Sequence, residues 1–115
     1  MILNIKATQV ELTPALKEYV EHKIGSLDRF LKRWEQEGEL EAWIEVGRTS
    51  RHHHKGYVFR AEVTIRMPQK KVLRADEESM DVRTAVDMVR DKVFKEIKKY
   101  GDRKGSRRRP GRSKE

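Results

Sequence analysis

The sequence contains no cysteine, so it shows no sign of the disulfide framework that small secreted domains often carry. No apolar run approaches the roughly 20 residues that span a membrane. The opening residues also lack the basic and apolar segments of a secretory signal. We therefore expect a cytoplasmic protein that makes no membrane contact.

Apolar residues are scarce as well, at 36% of the chain against 40% charged residues. With 115 residues, this composition suits one domain with a thin, two-layer core and a heavily solvated exterior. The sequence has no glycine-rich phosphate loop, no nucleophile paired with a histidine and no carboxylate pair of motif quality. We expect neither an enzyme nor a bound cofactor.

The charge that is present is predominantly positive and unevenly distributed. The net charge is +8, and the balance changes from −3 over residues 1–47 to +7 over residues 48–74 and +7 over residues 81–115. Such segregation indicates a basic side that docks on nucleic acid by releasing counterions. An anionic membrane ranks second as a partner, and ordinary surface charge is the simplest alternative.

Apolar periodicity predicts six elements. Residues 2–7 form a first strand, and Thr13 with Pro14 marks the start of a helix that extends to about Arg33. Alternation with a period of two then predicts strands over residues 40–46 and 57–67. A turn at residues 68–70 leads to a fourth strand over residues 72–76, giving an antiparallel meander of three strands.

A second helix follows over residues 82–100, with Asp81 at its N-cap position. The predicted fold is an α+β, β-α-β-β-β-α two-layer sandwich, with two helices on one face of a four-stranded sheet. Residues 1–100 form this domain. Residues 101–115 are basic and lack periodic apolar residues, so we expect a tail that is disordered when free.

Two blocks of sequence resemble the family of ribosome hibernation promoting factors and ribosome-associated inhibitor A, also called sigma-54 modulation proteins. The first is VELTPALKEYV over residues 10–20, continuing to Lys23 and Leu27. The second comprises TAVD over residues 84–87 and DKVFKEIKK over residues 91–99. The fold of that family is the sandwich that periodicity predicts independently.

The resemblance implies binding to small-subunit ribosomal RNA in the cleft between head and body. There the protein would cover the messenger channel and the A- and P-site tRNA positions, silencing translation in stationary phase or under stress. Arg83 replaces the usual tyrosine of the family, and Ser26 replaces a frequent lysine. The short segment after Tyr100 resembles members without a further dimerisation domain, and we expect a monomer when free.

Basic residues of the second helix are the candidate RNA contacts. Lys92, Lys95 and Lys99 form a ladder that is able to meet successive phosphates, and Lys98 lies beside them. A solubilising helix face is the alternative for each lysine. Arg83 and Arg90 lie on another side of the helix. We expect their guanidinium groups either to stack on an exposed RNA base or to pack on a neighbouring aromatic ring of the protein.

Three further segments carry candidate residues. Lys23 matches a basic position of the family in the first helix, although packing at the edge of the core explains it nearly as well. Arg107, Arg108 and Arg109 suit an arm that orders along RNA, or a tail that only aids solubility. His52, His53 and His54 lie in a basic loop without accompanying cysteine or spaced carboxylates, so we expect no metal site.

Two other functions fit the same features. A module that binds structured RNA away from the ribosome is the first alternative, because similar layering serves that role elsewhere. A protein-interaction module that binds an acidic partner is the second. Ribosome co-sedimentation that is sensitive to ribonuclease separates these functions.

Overall fold

The computed structural model describes residues 1–49 and 58–108, the last five of these through their backbone only. Within these ranges the chain forms a four-stranded sheet and three α-helices, which confirms the predicted α+β class. The elements in chain order are β1 (Ile2–Thr8), α1 (Pro14–Gly25), α2 (Asp28–Glu35), β2 (Glu41–Arg48), β3 (Phe59–Arg66), β4 (Val72–Ser79) and α3 (Val82–Arg108).

The strands follow one another in space in the order β1-β2-β3-β4. Strands β2, β3 and β4 form the predicted antiparallel meander, whereas β1 pairs with β2 in parallel. A parallel pair needs a long crossover, which α1 and α2 provide. Both helices are thereby brought over one face of the sheet.

The inner face of the sheet carries the apolar alternation. Ala42, Ile44 and Val46 on β2 are buried, and Ile44 lies opposite Val63 of β3 in the ladder. The three helices cover this face with Leu16, Val20, Ile24, Leu27, Leu31, Trp34, Ala85, Val86, Val89, Val93, Ile97 and Tyr100. The core therefore lies between one sheet face and one helix layer.

The prediction of one helix from Pro14 to about Arg33 was wrong, because the segment divides into α1 and α2. At the break the backbone changes to shorter hydrogen-bonded turns, with Leu27 N–H donating to the carbonyl of Ile24 at 3.0 Å. The Ser26 hydroxyl also donates to the Lys23 carbonyl at 2.6 Å, competing with continuation of the helix. The turn keeps Leu27 fully buried.

Two other elements are longer than expected. Strand β4 continues from Asp76 to Ser79, because Ser79 still pairs with Phe59 at the start of β3. Helix α3 continues through Gly101 to Arg108 instead of ending near Tyr100. Asp81 does cap α3, since its carboxylate accepts the backbone N–H of Thr84 at 2.9 Å.

The remaining predicted strand boundary, at Tyr57, lies outside the described residues. So do residues 109–115 of the expected tail, and the disorder of the tail stays a prediction. None of the helices in the described ranges is long and apolar enough to cross a membrane.

Candidate nucleic-acid interface

Aromatic side chains line the seam where α1 and α2 meet α3. Phe30 of α2 contacts Phe94 of α3 edge to face, with ring centroids 4.8 Å apart. Trp34 of α2 lies 5.2 Å from Tyr100 of α3 by the same measure. Tyr19 of α1 is partly buried at the other end of the seam. Trp34 and Tyr100 are buried, whereas Tyr19, Phe30 and Phe94 are partly buried and reach the surface of the helix layer.

Cations lie over these rings throughout the described part of the seam. Arg33 lies 4.3 Å from the Trp34 ring centroid, and Arg29 lies 4.8 Å from that of Phe30. We call the full set the cationic seam: Lys23 and Arg83 over Tyr19, Arg90 and Lys98 over Phe94, Arg29 over Phe30, and Arg33 over Trp34. Each such contact contributes about 0.5–1 kcal/mol at an exposed site and restrains a long side chain.

Polar contacts join α1 to α3 at the Tyr19 end of the seam. The Tyr19 hydroxyl donates to the Asp87 carboxylate at 2.6 Å, and the Lys23 ammonium lies 3.4 Å from the same oxygen. The hydrogen bond to Asp87, aided by burial, raises the pKa of Tyr19. Tyr19 is therefore a neutral donor at physiological pH.

Arg90 is held in the middle of the seam. Its Nε donates to the Ser26 hydroxyl oxygen at 3.1 Å, and its Nη1 lies 3.4 Å from the Asp91 carboxylate. A shallow groove of about 390 Å³ opens here, lined by His22, Lys23, Ser26, Asp87, Arg90 and Asp91. Ser26, at a position where a family lysine was expected, thus orients an arginine.

The predicted lysine ladder lies on the opposite flank of α3, towards β4. The Lys92 ammonium pairs with Glu77 at 3.3 Å and donates to the Asp76 carbonyl at 3.2 Å. Lys99 lies 3.6 Å from Glu96, while Lys95 is exposed and makes no such contact with any described residue. The structure therefore divides the candidate residues between two flanks, and Lys92 partly serves to fix α3 on the sheet.

Two arginines on the outer face of the sheet, Arg60 and Arg66, are engaged with acidic neighbours. Arg60 pairs with Asp76 at 2.8 Å and with Glu62 at 3.3 Å, and Arg66 pairs with Glu41 at 2.8 Å. Paired charges attract a polyanion less than unpaired ones do. Arg60 and Arg66 are therefore less available to phosphate than Lys95 and Lys98 of α3, for which no ion pair with a described residue is present.

Residues 3–105 match the family model described as Sigma 54 modulation protein / S30EA ribosomal protein. The chain belongs to this family. Among its relatives, the ribosome hibernation promotion factor of Lactococcus lactis is 35% identical over 102 residues, and that of Bacillus subtilis is 32% identical over 100. These alignments cover 87% of this chain but only 49% and 48% of the relatives. The chain thus spans about half the length of these curated relatives.

Solved structures agree with the S30EA-family assignment. The N-terminal domain of Thermus thermophilus Protein Y has a TM-score of 0.67 and 28% identity, covering 87% of this chain and 99% of that domain. A ribosomal subunit interface protein from Coxiella burnetii has a TM-score of 0.68, covering 89% and 99%. Its 20% identity supports the shared fold alone.

Sequence reasoning missed two cations of this S30EA-family chain, Arg29 and Arg33. Each directly precedes an aromatic residue of α2, in the pairs Arg29-Phe30 and Arg33-Trp34. That repeated pair, spaced by one helical turn, was the available signal. The Arg33 guanidinium also donates to the Gly101 carbonyl of α3 at 3.3 Å.

The side chains of the remaining sequence candidates are not among those that the structure describes. Arg107 and Arg108 belong to the last turn of α3, which is described through its backbone only. Arg109 and the histidine loop over residues 52–54 lie outside the described residues. Within the ranges that the structure does describe, no group of three His, Cys, Asp or Glu side chains is arranged to hold a metal ion.

Proposed function

We propose that this chain binds ribosomal RNA of the small subunit, in the cleft between head and body, and holds the ribosome idle. It acts in the cytoplasm as a monomer, covers the messenger channel and the A- and P-site tRNA positions, and catalyses nothing. The match of residues 3–105 to the S30EA family carries this proposal. The names of the Lactococcus and Bacillus relatives support a hibernation role.

The helix layer supplies the chemistry that this function needs. Restrained guanidinium groups make charge-assisted hydrogen bonds to phosphate oxygens, and they lose little rotamer freedom on binding. The Arg90 side chain over Phe94 exemplifies this arrangement. Unstacked bases of ribosomal RNA also pack against partly exposed rings.

The binding surface is tested by charge reversal on α3. We expect a variant with Lys95→Glu, Lys98→Glu and Lys99→Glu to lose co-sedimentation with purified small subunits. All three lysines are exposed, and none is tied to the sheet as Lys92 is to Glu77. Circular dichroism and thermal unfolding establish that the variant retains its fold.

The matched control reverses the same number of charges away from the helix layer. Lys6, Lys70 and Lys71 are exposed and belong to β1 or to the turn before β4. Their triple change to glutamate should leave most of the binding intact. Equal loss of binding in both variants would show that the interaction depends only on the net charge of the protein. Retained binding by the α3 variant would show that this surface does not bind the small subunit.

Salt and competitor RNA complete the test. Small-subunit affinity should fall steeply between 50 and 200 mM salt, roughly 10³-fold or more if six phosphates are contacted. An excess of an unrelated structured RNA should not displace the chain. Displacement by that RNA would favour a general RNA-binding module, and binding that resists ribonuclease treatment of the subunits would favour a protein partner.

A further inference from the structure

Among the described residues, two carboxylates pair with cations of the seam, and Asp87 is the less exposed of the two. Asp87 Oδ1 accepts the hydrogen bond of the Tyr19 hydroxyl and also lies 3.4 Å from the Lys23 ammonium nitrogen. Carboxylate and phosphate oxygens make the same kind of charge-assisted contact with an ammonium group. A phosphate that approaches Lys23 therefore meets a position already taken by an anion of the protein itself.

We propose that Asp87 is a built-in counter-anion that determines how selectively the seam binds RNA. This inference rests on the proposed function and adds a specificity-determining residue to it. In the free protein Asp87 neutralises Lys23, and a bound RNA phosphate replaces Asp87 at the ammonium group. Asp87 keeps its hydrogen bond from Tyr19 during this exchange, so the link between α1 and α3 survives.

The consequence is discrimination between RNA molecules. An RNA with a phosphate positioned beside Lys23 gains a contact that repays the lost ion pair. An RNA without a phosphate there leaves Asp87 in place and gains nothing from Lys23. Specificity of this kind depends on an element that disfavours the wrong partner as well as on one that favours the right partner.

Asp91 provides an internal comparison on the same helix. It lies 3.4 Å from the Arg90 guanidinium, but its side chain is 72% exposed, against 42% for Asp87. Its partner Arg90 is 22% exposed, so water screens this pair mainly from the Asp91 side. Arg90 is moreover held by Ser26 independently of Asp91. Asp91 should therefore affect RNA binding less than Asp87 does.

The test compares Asp87→Asn, Asp91→Asn and Glu39→Gln, each of which raises the net charge by one. Binding to poly(U) RNA is measured by fluorescence anisotropy over a series of salt concentrations. If freed Lys23 adds one phosphate contact, Asp87→Asn should tighten binding about fourfold near 0.15 M salt and steepen the log–log salt slope by about 0.7. The two control variants should change affinity by less than about twofold.

Two further variants separate this effect from a structural one. In a Lys23→Gln background, Asp87→Asn should no longer tighten binding, because the cation it frees is missing. Tyr19→Phe removes the hydrogen bond but keeps the carboxylate, so it should leave the salt slope unchanged. The proposal would be overturned if Asp87→Asn still tightened poly(U) binding in the Lys23→Gln background. It would also be overturned if Tyr19→Phe changed the salt slope as much as Asp87→Asn does.

The remaining outcomes are also decisive. Unchanged or weaker poly(U) binding by Asp87→Asn would contradict the counter-anion role, as would the absence of poly(U) binding by all variants at low salt. Co-sedimentation of the unaltered chain with small subunits is measured in parallel. If that fails while Asp87→Asn still gains affinity for poly(U), the proposed function falls and the role of Asp87 stands.

Discussion

At the scale of single residues, Arg90 shows what restraint contributes to binding. Its guanidinium is held by the hydrogen bond to Ser26 and lies 5.4 Å from the Phe94 ring centroid. A side chain that is already ordered loses little conformational entropy when it contacts a phosphate. Lysine and arginine side chains that lack such restraint lose more conformational entropy when they contact a phosphate.

We predict that Arg90→Gln weakens small-subunit binding about fivefold near 0.15 M salt, the contribution of roughly one phosphate contact. Arg74→Gln is the matched control, because Arg74 is an exposed cation of β4 outside the helix layer. Affinities are compared by titration of labelled protein with small subunits. Equal weakening by the two variants would remove Arg90 from the interface.

Asp81 makes the stability of α3 dependent on pH. Hydrogen bonds from Thr84 hold the pKa of Asp81 below its usual value of 3.8. A carboxyl group with a lowered folded-state pKa stabilises the fold above its unfolded pKa, and this stabilisation is lost as pH falls through the folded pKa. The unaltered chain should therefore have a higher Tm than Asp81→Ala at pH 7, with the gap closing below about pH 3.8. A gap that is constant from pH 7 to 2 would contradict this assignment.

At the scale of elements, two glycines in helices have different surroundings. A Cβ atom at Gly25, the last residue of α1, would meet nothing within 4 Å. A Cβ atom at Gly101 of α3 would lie 2.9 Å from Arg33 Nη2. That close approach explains why glycine fits at this position, where the Arg33 side chain packs against the backbone of α3.

We predict that Gly25→Ala raises the free energy of unfolding by about 0.5–1 kcal/mol, because alanine loses less conformational freedom on folding. Gly101→Ala should gain less, since the Arg33 side chain must move and its hydrogen bond to the Gly101 carbonyl weakens. Urea denaturation measures both values. A gain at Gly101 equal to that at Gly25 would show that the Arg33 contact does not matter.

Sequence periodicity predicted the meander and the apolar stripe of α3, because both depend on local spacing. It missed the break between α1 and α2, since Ile24, Leu27 and Leu31 keep helical spacing across it. In the candidate site, the basic residues were visible in the sequence, and the contact of Arg90 with Phe94 one helical turn away was among the alternatives. Contacts between different helices were not visible. The contact of Arg83 with Tyr19 joins two helices and depends on how those helices pack.

At the scale of the whole molecule, the two layers have different electrostatic character. On the outer face of the sheet, arginines are paired with carboxylates, as Arg66 is with Glu41. The helix layer carries the cationic seam and the exposed lysines of α3, and some of these cations, such as Lys23 and Arg90, are also paired with carboxylates. The surface proposed to bind RNA therefore extends from α1 along the described part of α3.

Competition with ligands of the decoding cleft tests the central claim most directly. Binding of initiator tRNA and of a short messenger to small subunits is measured at rising concentrations of the full chain and of a chain ending at Arg103. The full chain should exclude both ligands at a stoichiometry of one per subunit. The shortened chain, which keeps the Gly101 contact, should compete less with messenger than with tRNA. Simultaneous, undiminished binding of protein, tRNA and messenger would contradict the account.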